Sequence, residues 1–85
     1  MDIFLRLDPF VYTVEVYLCE DNNFKEVVKF NGIEEAIKGI NAYCERGIIK
    51  TIHLLGDKAY AEGISQMLLK DMYNYSYIPK VEVNK

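Results

Sequence analysis

The chain has 85 residues, of which 51% are hydrophobic and 27% charged, and its net charge is −3. This length supports one domain with a single core, and the composition excludes a disordered chain. Since there is no apolar run of about 18 residues and no basic N-terminal region, we expect a cytoplasmic protein without a membrane span or a secretory leader. The acidic balance argues against general binding to nucleic acid, which requires a basic surface.

Alternating apolar residues predict three antiparallel strands at the start of the chain. The first covers residues 3–7 and ends at Asp8-Pro9, because proline cannot continue a ladder of hydrogen bonds. The second covers 11–19, and a turn at 20–23, rich in residues that tolerate left-handed backbone, leads to a third strand over 24–30. In the second strand, one face is predicted to be buried and the other open: Tyr12, Val14, Val16 and Leu18 against Thr13, Glu15 and Tyr17.

A first amphipathic helix follows. Asn31 with Glu34 resembles a capping box at its start, and Gly47 supplies the left-handed residue that ends it. The strand predicted next, over 48–55, has apolar residues on both faces, as in a central parallel strand. The apolar stripe of the helix comprises Ile33, Ala36, Ile37, Ile40, Tyr43 and Cys44.

A second helix begins at Asp57, a suitable N-cap, and runs to about Tyr73 before a last strand over 80–84. Its predicted buried stripe comprises Tyr60, Ile64, Met67, Leu68 and Met72. The chain is therefore predicted to be one α/β domain, residues 1–85, with the order β-β-β-α-β-α-β. We expect a mixed five-stranded sheet with both helices mainly on one face.

This order, and the opening Ile3-Phe4-Leu5-Arg6-Leu7-Asp8-Pro9 followed by Val11-Tyr12-Thr13-Val14-Glu15-Val16, resembles the ribonuclease-H-like superfamily. Within it, the opening is similar to that of the Holliday-junction resolvases and their small relatives, in which an apolar strand ends in Asp-Pro-Gly. The element order covers nearly the whole chain, and the similarity of sequence covers about the first 20 residues.

The resemblance implies a nuclease that hydrolyses phosphodiesters with two Mg²⁺ or Mn²⁺ ions held by carboxylates. Asp8 matches the first metal ligand, Asp57 is nearest to the position of the second, and Glu15 is a further candidate on the open sheet face. Two departures count against activity. Phe10 replaces the family's glycine, and the sequence ends after the fifth strand, so we expect no closing helix with further carboxylates.

Each candidate also has a structural interpretation. Asp8 before proline favours a turn in which its side chain bonds its own backbone, Asp57 favours a helix cap, and Glu15 favours a solvated sheet face. His53, the only histidine, is interpreted as a satisfied core or sheet-face residue. Cys19 and Cys44 are expected to be buried, reduced thiols.

Two further groups concern binding surfaces. Four tyrosines are predicted to cluster around the second helix and its exit, and we interpret them as core and protein-contact residues: Tyr60, Tyr73, Tyr75 and Tyr77. Lys25 and Lys29, on one face of the third strand, are interpreted as protection of an edge strand.

The favoured hypothesis is a small non-catalytic protein-interaction or regulatory module without a cofactor. It would bind another protein, or itself as a homodimer, through the open face (Thr13, Glu15 and Tyr17) or the tyrosines Tyr73, Tyr75 and Tyr77. Such small acidic proteins are frequent in phages and mobile elements, an origin that no single residue demonstrates. The alternative is a minimal metal-dependent nuclease with Asp8 and Asp57 as metal ligands and Asp8, Glu15 and Asp57 as catalytic carboxylates.

Overall fold

The computed structural model describes residues 1–83 and has the predicted order of five strands and two helices. Asn84, at the end of the predicted fifth strand, lies outside the described residues. The elements are β1 (Asp2–Leu7), β2 (Thr13–Glu20), β3 (Asn23–Asn31), α1 (Ile33–Glu45), β4 (Thr51–Gly56), α2 (Lys58–Met72) and β5 (Lys80–Val83).

The strands form one mixed sheet in the order β3-β2-β1-β4-β5. β2 pairs antiparallel with β1 and β3, and β4 pairs parallel with β1 and β5. The hairpin between β2 and β3 closes through Asp21 and Asn22, whose φ angles are 52° and 66°. A two-residue turn with both φ angles positive matches the right-handed twist of the flanking strands, which explains the Asp-Asn pair at this point.

The core lies between the sheet and the two helices, which cover the same face, as predicted. α1 packs on β2 and β3, and α2 packs on β4 and β5. β1, β2 and β4 contribute alternate buried residues, and each helix contributes one stripe. The outer strands β3 and β5 add only partly buried residues: Val28, Phe30, Val81 and Val83. The buried apolar residues are Ile3, Leu5, Leu7, Val14, Val16, Leu18, Ala36, Ile37, Ile40, Cys44, Ile49, Ile52, Leu54, Ala61, Ile64, Leu68 and Met72.

The helix ends are only partly as predicted. Asp57 caps α2, because its Oδ1 accepts a hydrogen bond from the Tyr60 backbone N–H at 2.9 Å. Gly47 follows α1 with φ 73°, as expected of a left-handed stop. The capping by Asn31 and Glu34 was wrong by one position. Gly32 is the N-cap without a side-chain bond, and Glu35 Oε2 accepts from the Asn31 N–H at 2.9 Å.

Three burial predictions were wrong. Tyr12 precedes β2 and is 72% exposed, because the ladder begins only at Thr13. Met67 is 49% exposed, so it is not part of the buried stripe of α2. That stripe instead includes Ala61, which is close to one helical turn before Ile64 and therefore on the same side of the helix. Cys19 is half-buried on the face without helices, and only Cys44 is buried.

The strand predicted over 48–55 begins at Thr51 and is buried on one face only. Ile52 and Leu54 point into the core, whereas His53 is half-buried and Leu55 is exposed. The apolar run predicts a strand covered on both faces. Both helices, however, lie on the face of Ile52 and Leu54, so no described helix covers the face of His53 and Leu55.

β3 is an edge strand, as the interpretation of its lysines requires. A bulge sets Leu18 opposite Glu26 and Cys19 opposite Phe24, so Lys25 is the extra residue. The two lysines therefore do not share a regular face: Lys25 pairs with Glu20, and Lys29 pairs with Glu15, both at 3.8 Å.

Candidate functional site

The sheet face opposite the helices, hereafter the open face, is covered by no described helix. Alternation along the strands sends the residues between the core positions to this side. The predicted binding residues Thr13, Glu15 and Tyr17 all lie on it, as expected. With them lie residues that were not predicted as a group: Asp2, Phe4, Arg6, Cys19, Thr51, His53, Leu55 and Glu82.

One row of the open face crosses four strands. The strand registers place Tyr17 beside Phe4, Phe4 beside His53, and His53 beside Glu82. The rings of Phe4 and His53 are stacked, with centroids 4.1 Å apart and an angle of 7° between their planes. Stacking covers one face of the imidazole with a hydrocarbon ring and fixes the orientation of its two nitrogen atoms.

His53 lies between two carboxylates. Its Nε2 is 3.0 Å from Asp2 Oδ2, and its Nδ1 is 3.3 Å from Glu82 Oε1. Lys80 Nζ lies 3.0 Å from the other oxygen of Glu82. Each nitrogen of the ring thus has a carboxylate oxygen within hydrogen-bonding distance. His53 is thus a satisfied sheet-face residue, as interpreted, but the carboxylates that satisfy it lie far from it in sequence.

Glu15 is held by its neighbours on the open face. Its Oε1 accepts a hydrogen bond from the Tyr17 hydroxyl at 3.2 Å, and Lys29 approaches its other oxygen. The hydrogen bond to Glu15, and then the negative charge of that carboxylate, raise the pKa of the Tyr17 phenol above its ordinary value of 10.0. Glu15 therefore belongs to a surface network between β2 and β3.

A groove of about 610 Å³ lies where β1 ends and the chain crosses to β2. The connecting segment, residues 8–12, is hereafter the β1–β2 loop. Phe10 is 94% exposed, and Val11, Tyr12 and Leu55 are also exposed. Thr13, Glu15 and Tyr17 line the same groove, so it continues the open face. This exposed apolar group was missed, because the alternating pattern assigned Val11 and Tyr12 to the second strand.

Arg6 also lines this groove, together with the apolar side chains of the loop and Leu55. It is exposed on the open face, opposite Leu55 in the parallel register. Within residues 1–83 its guanidinium has neither a hydrogen bond nor an ion pair. The groove thus combines an apolar wall with an uncompensated cation.

Asp8 and Asp57 border a depression that continues the groove around the loop, together with Gly56. Both carboxylates serve local structure, as their structural interpretations predicted. Asp8 Oδ1 accepts from the Phe10 N–H at 2.9 Å, which closes the turn, and Asp57 Oδ1 caps α2. The ends of β1 and β4 bring the two residues to one side of the sheet.

The carboxylates named for the metal site are engaged in local contacts. Among the described residues, no three His, Cys, Asp or Glu side chains lie close enough to hold a metal ion. Asp8 and Asp57 each commit an oxygen to a backbone N–H, and Glu15 is engaged with Lys29 and Tyr17.

The tyrosines do not form one cluster. Tyr60 is in the first turn of α2 and lines the groove, about 20 Å along the helix axis from Tyr73. Tyr73 and Tyr77 are exposed beyond the other end of α2. Tyr75 packs on the core, and its burial, followed by the charge of Glu45, raises the pKa of its phenol. The two predicted binding surfaces therefore lie at opposite ends of the sheet.

Comparisons with models of protein families, with curated proteins and with solved structures find no match to this chain. Neither of the two helices in residues 1–83 is long and apolar enough to cross a membrane.

Proposed function

We propose that the chain is a small non-catalytic protein-interaction module that binds its partner through the groove at the β1–β2 loop. The observation that carries this proposal is the exposure of Phe10, of which 94% is open to solvent, beside the exposed Tyr12. Large aromatic side chains are enriched at the centres of protein interfaces. A loop that presents two of them beside a groove is therefore suited to binding another protein.

The surroundings of the aromatic pair fit this use. The loop is held by its own hydrogen bonds, from Phe10 N–H to the Asp8 side chain and from Val11 N–H to the Asp8 carbonyl at 3.1 Å. Thr13 and Glu15 add polar groups to the lining of the groove. Exposed aromatic side chains beside polar groups, on a loop ordered before binding, are typical of specific protein contacts.

Site-specific photocrosslinking in the native host cells tests the proposal. A benzophenone amino acid replaces Phe10 in one variant and Tyr73 in a second, and Lys38, exposed on α1, is the control position. We expect defined protein adducts at position 10 that are absent at position 38. Adducts concentrated at position 73 would assign binding to the opposite end of the sheet, and equal adducts at all three positions would contradict a binding site.

The ribonuclease-H-like assignment is also a proposal. Its support is the element order together with the mixed sheet in which β1 pairs with both β2 and β4. The nuclease alternative has weaker support, since Asp8 and Asp57 border one depression but serve a turn and a cap.

A cleavage assay on branched and flap DNA with Mg²⁺ or Mn²⁺, run beside Asp8→Asn, separates the two functions. We expect no cleavage by either protein. Metal-dependent cleavage by the wild-type chain that is lost in Asp8→Asn would overturn the non-catalytic proposal.

A further inference from the structure

We infer that the partner at the groove is a second copy of this chain, docked about a two-fold axis with each Phe10 seated in the groove of the other copy. This inference rests on the proposed function and names its partner. In a two-fold contact the same patch serves both copies, so the patch must contain both the inserting group and the receiving surface. The groove and the β1–β2 loop together contain both.

Charge complementarity supports a second copy. Arg6 has no ion pair or hydrogen bond within residues 1–83. Asp8, two residues further along the chain, also lines the groove; its Oδ1 accepts a hydrogen bond from the Phe10 N–H, and its Oδ2 has no described contact. In a dimer with two-fold symmetry, Arg6 of each copy lies beside Asp8 of the other copy. The contact therefore contains two identical ion pairs.

The β1–β2 loop carries these groups in a preformed arrangement. The Asp8 turn fixes the carboxylate beside the backbone of Phe10, and the ring extends into solvent. The receiving groove is lined by a cation, Arg6, which is beside Leu55 in the strand register, and by the ring of Tyr12. Since little has to be ordered on binding, weak contacts suffice for association.

The area sets the expected strength. Phe and Tyr side chains each bury roughly 150–250 Å² when covered. Phe10 and Tyr12, with Val11 and Leu55, therefore provide on the order of half of the ~800 Å² that each partner contributes to a standard interface. The polar rim must supply the rest. We expect a reversible dimer with a dissociation constant in the micromolar range.

Two charge-reversal variants test the pairing by sedimentation velocity from micromolar to millimolar concentrations. Arg6→Glu places two acidic groups together in a homodimer, and Asp8→Arg places two basic groups together, so each variant alone is expected to be monomeric. In a mixture, one subunit of each variant pairs Glu with Arg and Asp with Arg, so heterodimers are expected. Mixed variants that stay monomeric, or single variants that dimerise like the wild type, overturn the inference.

Matched controls separate association from folding. Phe10→Ser removes an almost fully exposed ring and is expected to raise the dissociation constant of the dimer at least tenfold. Tyr73 is also exposed, at 73%, and Tyr73→Ser is expected to leave the dissociation constant unchanged. Asp8→Asn keeps the acceptor for the Phe10 N–H but removes the charge, so weaker association in a folded protein supports the pairing with Arg6. Circular dichroism verifies that each variant is folded.

The outcomes distinguish this inference from the proposed function. A wild-type chain that stays monomeric at millimolar concentration, while position 10 crosslinks to other proteins, overturns the homodimer and leaves the interaction module. A monomeric chain without adducts at position 10 overturns both. Adducts between two copies at position 10, together with dimers in the mixed variants, support both.

Discussion

Replacement of Gly56 by alanine is the sharpest test of how the sheet closes beside the groove. Gly56 ends β4 with a φ of 100°, a conformation that residues with a side chain rarely adopt. A Cβ built at this position would overlap the Leu7 carbonyl oxygen and would lie 3.1 Å from the Leu7 nitrogen. Leu7 ends β1, where it pairs with Gly56 of β4 and its carbonyl accepts a hydrogen bond from the Asp57 N–H, so its backbone has little freedom to move.

The expected cost has three parts. The positive φ costs about 1–3 kcal/mol for alanine, and the overlap with the Leu7 backbone adds a similar amount as overpacking. The hydrogen bond from Asp57 N–H to the Leu7 carbonyl, 2.9 Å long, is lost as the strands separate, at about 1 kcal/mol. We expect destabilisation of about 3–7 kcal/mol, against a total stability of roughly 4–12 kcal/mol for a chain of this size.

Gly63→Ala is the matched control. Gly63 lies within α2, and a Cβ there meets nothing within 4 Å. Alanine should therefore stabilise the protein by about 0.5–1 kcal/mol through helix propensity and the unfolded chain. Urea unfolding followed by circular dichroism measures both changes in the free energy of unfolding. If Gly56→Ala alone is only marginally folded, its effect is measured in the double variant with Gly63→Ala. A free energy of unfolding for Gly56→Ala within about 1 kcal/mol of the wild-type value would refute the close approach of β4 to Leu7.

The other predictions concern α1 and the thiols. Gly39→Ala brings a Cβ into the Phe30 ring, so we expect a net loss of about 1–2 kcal/mol despite the gain in helix propensity, and stabilisation in urea unfolding would contradict this packing. An aromatic disulfide reagent should modify Cys19 in the native protein and both thiols only in denaturant, and rapid native reaction of Cys44 would refute its burial. Burial raises the pKa of Cys44 from 9.0 to about 11, so the unfolded chain loses this proton first. Its contribution to stability is present below pH 9 and should be lost as the pH rises to about 11, at up to about 1.4 kcal/mol per unit. Urea unfolding across this range should therefore show a steeper decline for the wild type than for Cys44→Ala, and parallel declines would contradict it.

The order of elements was predictable because each carries a local signal. Alternation marks the strands, Asp21 and Asn22 mark the hairpin turn, and Gly47 and Asp57 mark one end of each helix. The first residues of elements were predicted less well. Tyr12 continues the alternation of β2 although its carbonyl bonds Gly32 at the start of α1, outside the ladder. Hydrophobic periodicity does not distinguish a residue inside the ladder of β2 from the residue just before it.

The open face was predictable only in part. Thr13, Glu15 and Tyr17 lie on one strand, so alternation alone places them together. The contacts of His53 require the parallel register of β4 with its two neighbours, which no local pattern specifies. Asp2 is 51 residues away from His53 in sequence, and Glu82 is on a different strand near the end of the described residues. A polar residue at a central position of an apolar run was the one available signal that His53 needed partners.

The position of β1 in the sheet also affects the speed of folding. The β2–β3 hairpin closes through a two-residue turn, but β1 can pair with β4 only after the chain from residue 8 to residue 50 has returned to it. That loop is longer by about four doublings, and each doubling adds about 0.6 kcal/mol of closure entropy. We therefore expect the hairpin to form in microseconds and the pairing of β1 with β4 to limit the rate of folding. Until that step, the apolar edge of β1 is exposed to other chains, so refolding at high concentration is the condition under which this protein should aggregate.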